Sequence, residues 1–331
     1  MRHGGDLAEA VERYGIPEGD WLDLSTGINP RPWPLAERVA AADLRGLSRL
    51  PSFRDLDRLL AAARAAYAVP APLAITAAPG TEILIRLLPH LSRGPAAVAR
   101  TTYTSHLAAF GRERPSLVAH DADALLALPP ESSISVVNPN NPDGRRIAPA
   151  DLLRIAGRRG GQAVLIVDEA YADAEDGCSI VPLLRPELPI VVLKSFGKFF
   201  GLPGLRLGFA IGPERLVAPI RDRVGDWPVS APAIAIGAAA LADQAWQSAA
   251  RAWLDGQTQR LRDVLTASSL AVGGSTRLFA LAAVPDAPAL HRRLAESGIW
   301  TRIFSEWPGV IRIGLPGTDR GLARLASALA G

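Results

Sequence analysis

The 331-residue chain is 48% hydrophobic and 21% charged with a mean hydropathy of +0.14, too apolar for disorder and long enough to bury one large or two modest cores. Its 36 basic and 33 acidic residues leave a formal charge of +3, and short pairs such as Arg145-Arg146, Arg158-Arg159 and Arg292-Arg293 are scattered rather than gathered into a tract, so no nucleic-acid partner is expected. No apolar run approaches the roughly 18 residues of a membrane span, the start MRHGGDLAEA lacks the apolar centre of an export signal, and the single Cys178 cannot form an intrachain disulfide, so the expectation is a cytoplasmic protein with no membrane partner.

In chain order, HGGDLAEAVERYG reads as a helix and WLDLSTGINPRPWP as an extended, Pro-rich stretch; together they make an N-terminal arm, residues 1–35, assigned to the small domain or to a cover over the active site. From about residue 55 apolar runs alternate with amphipathic stretches. The expected strands are 73–76, 96–100, 134–138, 163–168, 189–193 and 205–212, with helices such as 52–67, 82–91 and 149–159 between them. That alternation predicts an α/β domain over 36–225, a largely parallel, doubly wound sheet whose ligands bind beyond the carboxyl ends of its strands. After about 225 come two Ala-rich helices, 231–245 and 247–268, then short strands near 278–283, 299–303 and 310–313, which read as a smaller α+β domain over 226–331.

Only two of the 36 basic side chains are lysines, Lys194 and Lys198, both in VVLKSFGKFFGLPGLRLG. Arginine cannot form an imine, so retention of lysine at one place points to that chemistry, with codon bias as the plain alternative. Lys198 sits between Phe196 and Phe199-Phe200, an apolar setting that favours the neutral amine, while Ser195 and Arg206 are the hydroxyl and guanidinium fork expected around a phosphate. In AVLIVDEAY a carboxylate, Asp168, ends an apolar strand with Tyr171 three residues on; it suits holding a proton on a heterocyclic nitrogen, and equally a strand-end turn or a metal-binding Asp-Glu pair. In ISVVNPNNPDG the prolines around Asn141 make a turn and would orient its amide toward a ligand oxygen. In LAITAAPGTEILIRLL, Gly80 and Thr81 stand between strand and helix, where free backbone N–H groups suit an anion or an ordinary helix cap.

In their order and spacing these residues resemble the pyridoxal-phosphate enzymes of the aspartate aminotransferase superfamily, fold type I, over nearly the whole chain. The resemblance implies pyridoxal 5'-phosphate as cofactor, Lys198 as the imine-forming lysine, Asp168 against the pyridine nitrogen, and Asn141 and Tyr171 on the ring hydroxyl. It places Gly80, Thr81, Ser195 and Arg206 on the cofactor phosphate, makes Lys194 a bystander and requires no metal. His106 in RTTYTSH stands where an aromatic ring stacks on the pyridine. Gly197 replaces a small hydroxyl residue before the lysine. Leu50 in RLPSF occupies the place of a tyrosine lent to the neighbouring subunit.

Within the superfamily, His3-Gly4-Gly5, WLDLSTGINP, RTTYTSH, SFGKFFGLPGLRLGFA and RIGLPG are most similar to the histidinol-phosphate aminotransferase branch and, inside it, to the cobalamin-biosynthetic decarboxylases of L-threonine O-3-phosphate. The resemblance implies a homodimer acting on a small phosphorylated amino acid, with Arg312 on the substrate carboxylate and Arg302, His3 and Asn29 on its phosphate. An aminotransferase of the histidinol-phosphate type and a non-catalytic cofactor-binding module are the other readings; such modules come fused to a DNA-binding domain, and no helix-turn-helix is read before residue 36.

Overall fold

The computed structural model describes residues 4–38, 45–91, 94–111 and 114–330. In chain order the strands are β1 (Leu22–Asp23), β2 (Ala74–Ala78), β3 (Ala96–Ala99), β4 (Ser116–Val118), β5 (Ser133–Val137), β6 (Leu165–Asp168), β7 (Ile190–Ser195) and β8 (Gly208–Gly212). Five more follow: β9 (Ala271–Thr276), β10 (Phe279–Ala283), β11 (Ile299–Trp300), β12 (Arg302–Phe304) and β13 (Trp307–Gly314). They sort into two compact units. One comprises the described residues within Pro32–Asn141 and Arg145–Gln247, the other those within Met1–Arg31, Pro142–Gly144 and Ser248–Gly331.

The larger unit is built on a seven-stranded sheet in the order β2-β8-β7-β6-β5-β3-β4. The pairs from β4 through β7 are parallel, and β8 runs antiparallel to both β7 and β2. Strands β5 and β6 are buried along their whole length: β6 reads as an apolar run up to its terminal Asp168, and the two serines inside β5 are hydrogen-bonded, Ser133 Oγ accepting from the Val164 N–H and Ser135 Oγ donating to His106. Leu84, Ile85, Phe110, Val164, Ile166, Val191 and Leu193 pack into one core cluster. The parallel order brings the ends of β5, β6 and β7 to one edge of the sheet, so Asn138, Asp168 and Ser195 emerge there.

Helix Phe53–Ala66 opens with a capping box between Ser52 and Asp55, and helix Ala231–Ala242 packs against it. The contact is close: a Cβ at Gly237 would lie 3.0 Å from Leu59 and 2.6 Å from Leu207. This apolar helix keeps the larger unit continuous through Gln247, beyond the change of composition near residue 225. Trp33 also joins the larger unit, its backbone N–H on the Phe200 carbonyl and its indole N–H on Asp243, so the division at the N-terminal side falls at Arg31 rather than at 35.

In the smaller unit β12-β13-β10-β9 form an antiparallel sheet, and β1 pairs in parallel with β11. The expected strand over 299–303 is two strands, interrupted at the buried Thr301. Tyr14, Trp21 and Trp300 meet edge to face, with His291 4.5 Å from the Trp300 ring, so the N-terminal helix Ala8–Tyr14 is tied to this unit by aromatic packing. Among the described residues no helix is long and apolar enough to cross a membrane.

Candidate active site

Asp168 ends β6 with only 2% of its surface exposed. Its Oδ1 accepts from the Ala170 backbone N–H at 3.0 Å, and its Oδ2 lies 2.9 Å from His106 Nε2. An ionised carboxylate can only accept, so Nε2 carries the proton; Nδ1, 2.8 Å from Ser135 Oγ on β5, is thereby free to accept from that hydroxyl. Ser135, His106 and Asp168 form a buried chain that fixes the carboxylate's orientation from behind.

This corrects the stacking role expected of His106. Protein atoms cover its ring completely, leaving no face for a ligand. The aromatic ring beside it is Tyr103, half-buried at the N-cap of helix Thr104–Phe110, edge-on to His106 at 6.3 Å and donating to Glu82 Oε2 at 3.3 Å. Burial, then the Glu82 charge, raises the Tyr103 pKa. The spacing of three between Tyr103 and His106, nearly one helical turn, was the available signal.

Beyond β7 the chain makes a single helical turn, Phe196–Phe199, with Phe196, Phe199 and Phe200 buried. These rings anchor the turn and leave Lys198 half-buried, its Nζ 5.9 Å from the centre of the Tyr171 ring. Tyr171 is itself 97% covered, on the segment that leaves β6. Gly197 has a steric reason to lack a side chain, since a Cβ there would come within 2.9 Å of Pro203 Cα.

Arg206 takes a left-handed backbone conformation, φ 54°, and lays its guanidinium over Gly80. A Cβ at Gly80 would lie 2.6 Å from Arg206 Nη2, and one at Gly208 would lie 2.9 Å from the Thr81 nitrogen. Gly80 also has φ +88°, which side-chain-bearing residues rarely adopt. The Gly80-Thr81 backbone and the Arg206 fork therefore meet only because two glycines leave the room.

The turn carrying Asn141 is held by its neighbours rather than by prolines alone. Asn138 both accepts from the Ile147 N–H, at 2.8 Å, and donates to the Ile147 carbonyl; Asn140 donates to the Thr101 carbonyl at 2.6 Å and accepts from Thr102 Oγ1. Asn141 follows, half-buried. Glu169 is not half of a chelating pair with Asp168: its oxygens take the Ser179 hydroxyl, the Ile180 N–H and the Lys194 ammonium. Lys194 is 1% exposed and also paired with Asp173. Alternation along β7 sends it to the opposite face from Ser195, a consequence of strand geometry that motif spacing did not reveal. Burial, then the Glu169 charge, pushes the Cys178 thiol up to about 12, so it stays protonated and inert.

In the smaller unit Arg312 is 6% exposed, donates to the Ser25 carbonyl at 2.7 Å and lies 5.1 Å over the Phe279 ring. Arg302 stands directly opposite it in the β12–β13 register. Like charges at such a position repel, so the pair is suited to an anion. Gly5 donates to Ser25 Oγ at 2.8 Å, and a Cβ at Gly4 would come within 2.3 Å of the Ser25 carbonyl oxygen, so the glycine pair and Arg312 converge on one residue. Asn29 is 2% exposed and its Oδ1 accepts from the Arg31 N–H at 2.9 Å, a turn-forming role. His3 lies outside the described residues.

The chain belongs to the aminotransferase class I and II family, whose sequence pattern matches residues 65–329. It is similar to threonine-phosphate decarboxylases: 40% identical to that of Sinorhizobium sp over 99% of this chain and 97% of the relative, and 39% identical to that of Pseudomonas aeruginosa over 100% and 98%. Among solved structures, the histidinol-phosphate aminotransferase from Sinorhizobium meliloti in complex with pyridoxal-5'-phosphate superposes with a TM-score of 0.82 at 22% identity, covering 98% of this chain and 94% of that one. The fold is accordingly fold type I.

Proposed function

We propose that this protein is a pyridoxal-5'-phosphate-dependent decarboxylase that converts L-threonine O-3-phosphate to (R)-1-aminopropan-2-yl phosphate and carbon dioxide, a step of cobalamin biosynthesis. The observation that carries this reading is full-length similarity, about 40% identity, to relatives named for that activity, joined to a set of site residues that fits the cofactor. The fit is structural. Gly80 and Gly208 leave an uncrowded backbone under the Arg206 guanidinium, which suits a phosphate dianion, and Asp168 is a buried carboxylate already oriented by two donors.

In this reading Gly80, Thr81, Ser195 and Arg206 hold the cofactor phosphate, Asp168 holds a proton on the ring nitrogen, Asn141 and Tyr171 contact the ring hydroxyl, Tyr103 supplies the stacking face and Lys198 is the attachment point. The bound cofactor supplies an electron sink for the pair released when a bond to Cα breaks. Which bond breaks depends on how the chain holds the substrate. Arg312 is assigned to the substrate carboxylate and Arg302, Asn29 and His3 to its phosphate, so orientation comes from both charged ends. As the Cα–carboxylate bond breaks and carbon dioxide leaves, Cα must gain one proton, and the half-buried Lys198 ammonium is the donor we assign.

The assay uses L-threonine O-3-phosphate with added pyridoxal 5'-phosphate. Carbon dioxide release without any keto acid is expected; strict dependence on 2-oxoglutarate, with glutamate formed, would replace this reading by an aminotransferase, and failure of both with cofactor bound would leave a non-catalytic module.

We further propose a homodimer. Leu47, Leu50 and Phe53 are 68%, 65% and 72% exposed within one short stretch, a grouping of apolar surface that a second copy would cover. Light scattering at twice the chain mass supports this, and an active monomer overturns it.

A further inference from the structure

Lys194 Nζ lies 3.0 Å from Glu169 Oε2 and 2.5 Å from Asp173 Oδ1, and 4.8 Å over the ring of Tyr67. Lysine, both carboxylates and ring are all buried. Burial alone would lower the lysine's pKa, but the charges of Asp173 and Glu169 outweigh it and hold the ammonium above its ordinary range. Burying three charges is expensive, and apolar groups of similar volume commonly serve stability as well or better. Stability therefore does not explain why the triad is here.

Its place in the chain does. Glu169 directly follows Asp168, and Asp173 comes two residues after Tyr171. The two anchored carboxylates therefore adjoin both residues of this segment that the proposed function places on the cofactor: Asp168 is the residue before Glu169, and Tyr171 lies between Glu169 and Asp173. The segment touches the sheet at the same spot, where the Glu169 N–H donates to the Leu193 carbonyl at 2.9 Å. Glu169 is further fixed by Ser179 Oγ at 2.6 Å and the Ile180 N–H at 2.7 Å, so the ammonium draws Asp173 toward an already rigid partner. A cation suits the position because it meets two carboxylates and an aromatic face at once.

We propose that Lys194 is a positioning residue whose buried ammonium clamps Glu169 to Asp173 and thereby sets Tyr171, between them, and Asp168, next to Glu169, against the cofactor. This rests on the reading that Asp168 and Tyr171 hold pyridoxal 5'-phosphate. Without the cation, two buried carboxylates face each other and the segment must shift or take up a proton.

The test uses the full chain with Lys194→Met, a neutral side chain of similar length, titrated with pyridoxal 5'-phosphate and followed by visible absorbance. We expect an apparent Kd raised on the order of tenfold, and an upward move in the pH midpoint of the visible band because the Tyr171 hydroxyl no longer meets the ring oxygen squarely. Lys194→Arg should restore most of both, and adding Asp173→Asn to Lys194→Met should recover part of the affinity by removing the facing charge. A folded Lys194→Met protein with wild-type Kd and midpoint overturns the proposal. If that variant is recovered only as aggregate, Asp173→Asn alone takes its place, with a loss of about two- to fivefold expected and no change counting against the clamp. If instead the wild-type chain develops no visible band with the cofactor, it is the cofactor reading that fails.

Discussion

Lys194 and Lys198 stand one helical turn apart in sequence and in opposite chemical circumstances. Lys194 is sealed beneath the sheet edge against two carboxylates. Lys198 is half-buried above buried phenylalanines; among the described residues no carboxylate lies within ion-pair distance of it, and its neighbour is the Tyr171 ring. An amine held between carboxylates keeps its proton and cannot attack a carbonyl. The same side chain is thus a fixed charge in one place and, in the proposed function, the attachment point in the other.

The sharpest way to break the contrast is to exchange reactivity. Lys198→Ala should abolish cofactor attachment and lower turnover on the order of 10³-fold or more, while Lys194→Arg keeps the visible absorbance. Borohydride reduction and peptide mapping should find the cofactor on Lys198, and label on Lys194 would reverse the two assignments. Next in size, Asp168→Asn removes the charge that keeps a ring nitrogen protonated and should cost roughly 10²- to 10³-fold in kcat, with Asp168→Glu less harmful; equal losses in both would mean that position, not charge, is what matters.

Arg302→Ala tests a cation that neither lysine resembles, one set against another cation. Loss of a charge-assisted contact should raise KM for L-threonine O-3-phosphate about ten- to a hundredfold and shrink the preference over threonine. An unchanged KM and preference would place the phosphate elsewhere.

The smallest effect concerns stability. His291 is a buried base like Lys194, yet burial, then the positive charge of Arg13, lowers its pKa to about 4. Its folded pKa lies below the unfolded value near 6.5, so the unfolded chain takes up a proton first; the stability it contributes is full above about pH 6.5 and is lost as pH falls toward 4, up to about 3 kcal/mol. His291→Gln should flatten unfolding free energy across that window, and an unaltered acid limb would show that other groups set it.

Much of the larger unit could be read along the chain because its parallel strands are covered on both faces. LIV of β6 and IVVL of β7 are apolar without alternation, and the polar residues that follow mark the edge where ligands bind in such sheets. Composition misled near residue 225, because an Ala-rich helix carries no mark of which unit it packs against; the fit of Gly237 on Leu59 and Leu207 settles that. His106 and Tyr103 were confused for a related reason. Both are flat rings, and one turn of helix separates a ring presented at the surface from one sealed against Asp168.

Chain order and residue chemistry were thus enough for the fold type, and they offered the residues from Gly80 to Arg206, with Lys198 rather than Lys194, as the site now proposed, since each of these readings depends on local patterns of burial and spacing. The partners were not readable there. His106 on Asp168, Arg206 over Gly80, Arg302 opposite Arg312 and the carboxylates around Lys194 join residues up to 126 positions apart, as from Gly80 to Arg206. Which charges end up buried together is a property of strand order and register, and hydrogen bonding and ion pairing in that low-dielectric interior then decide which groups are held still and which remain reactive.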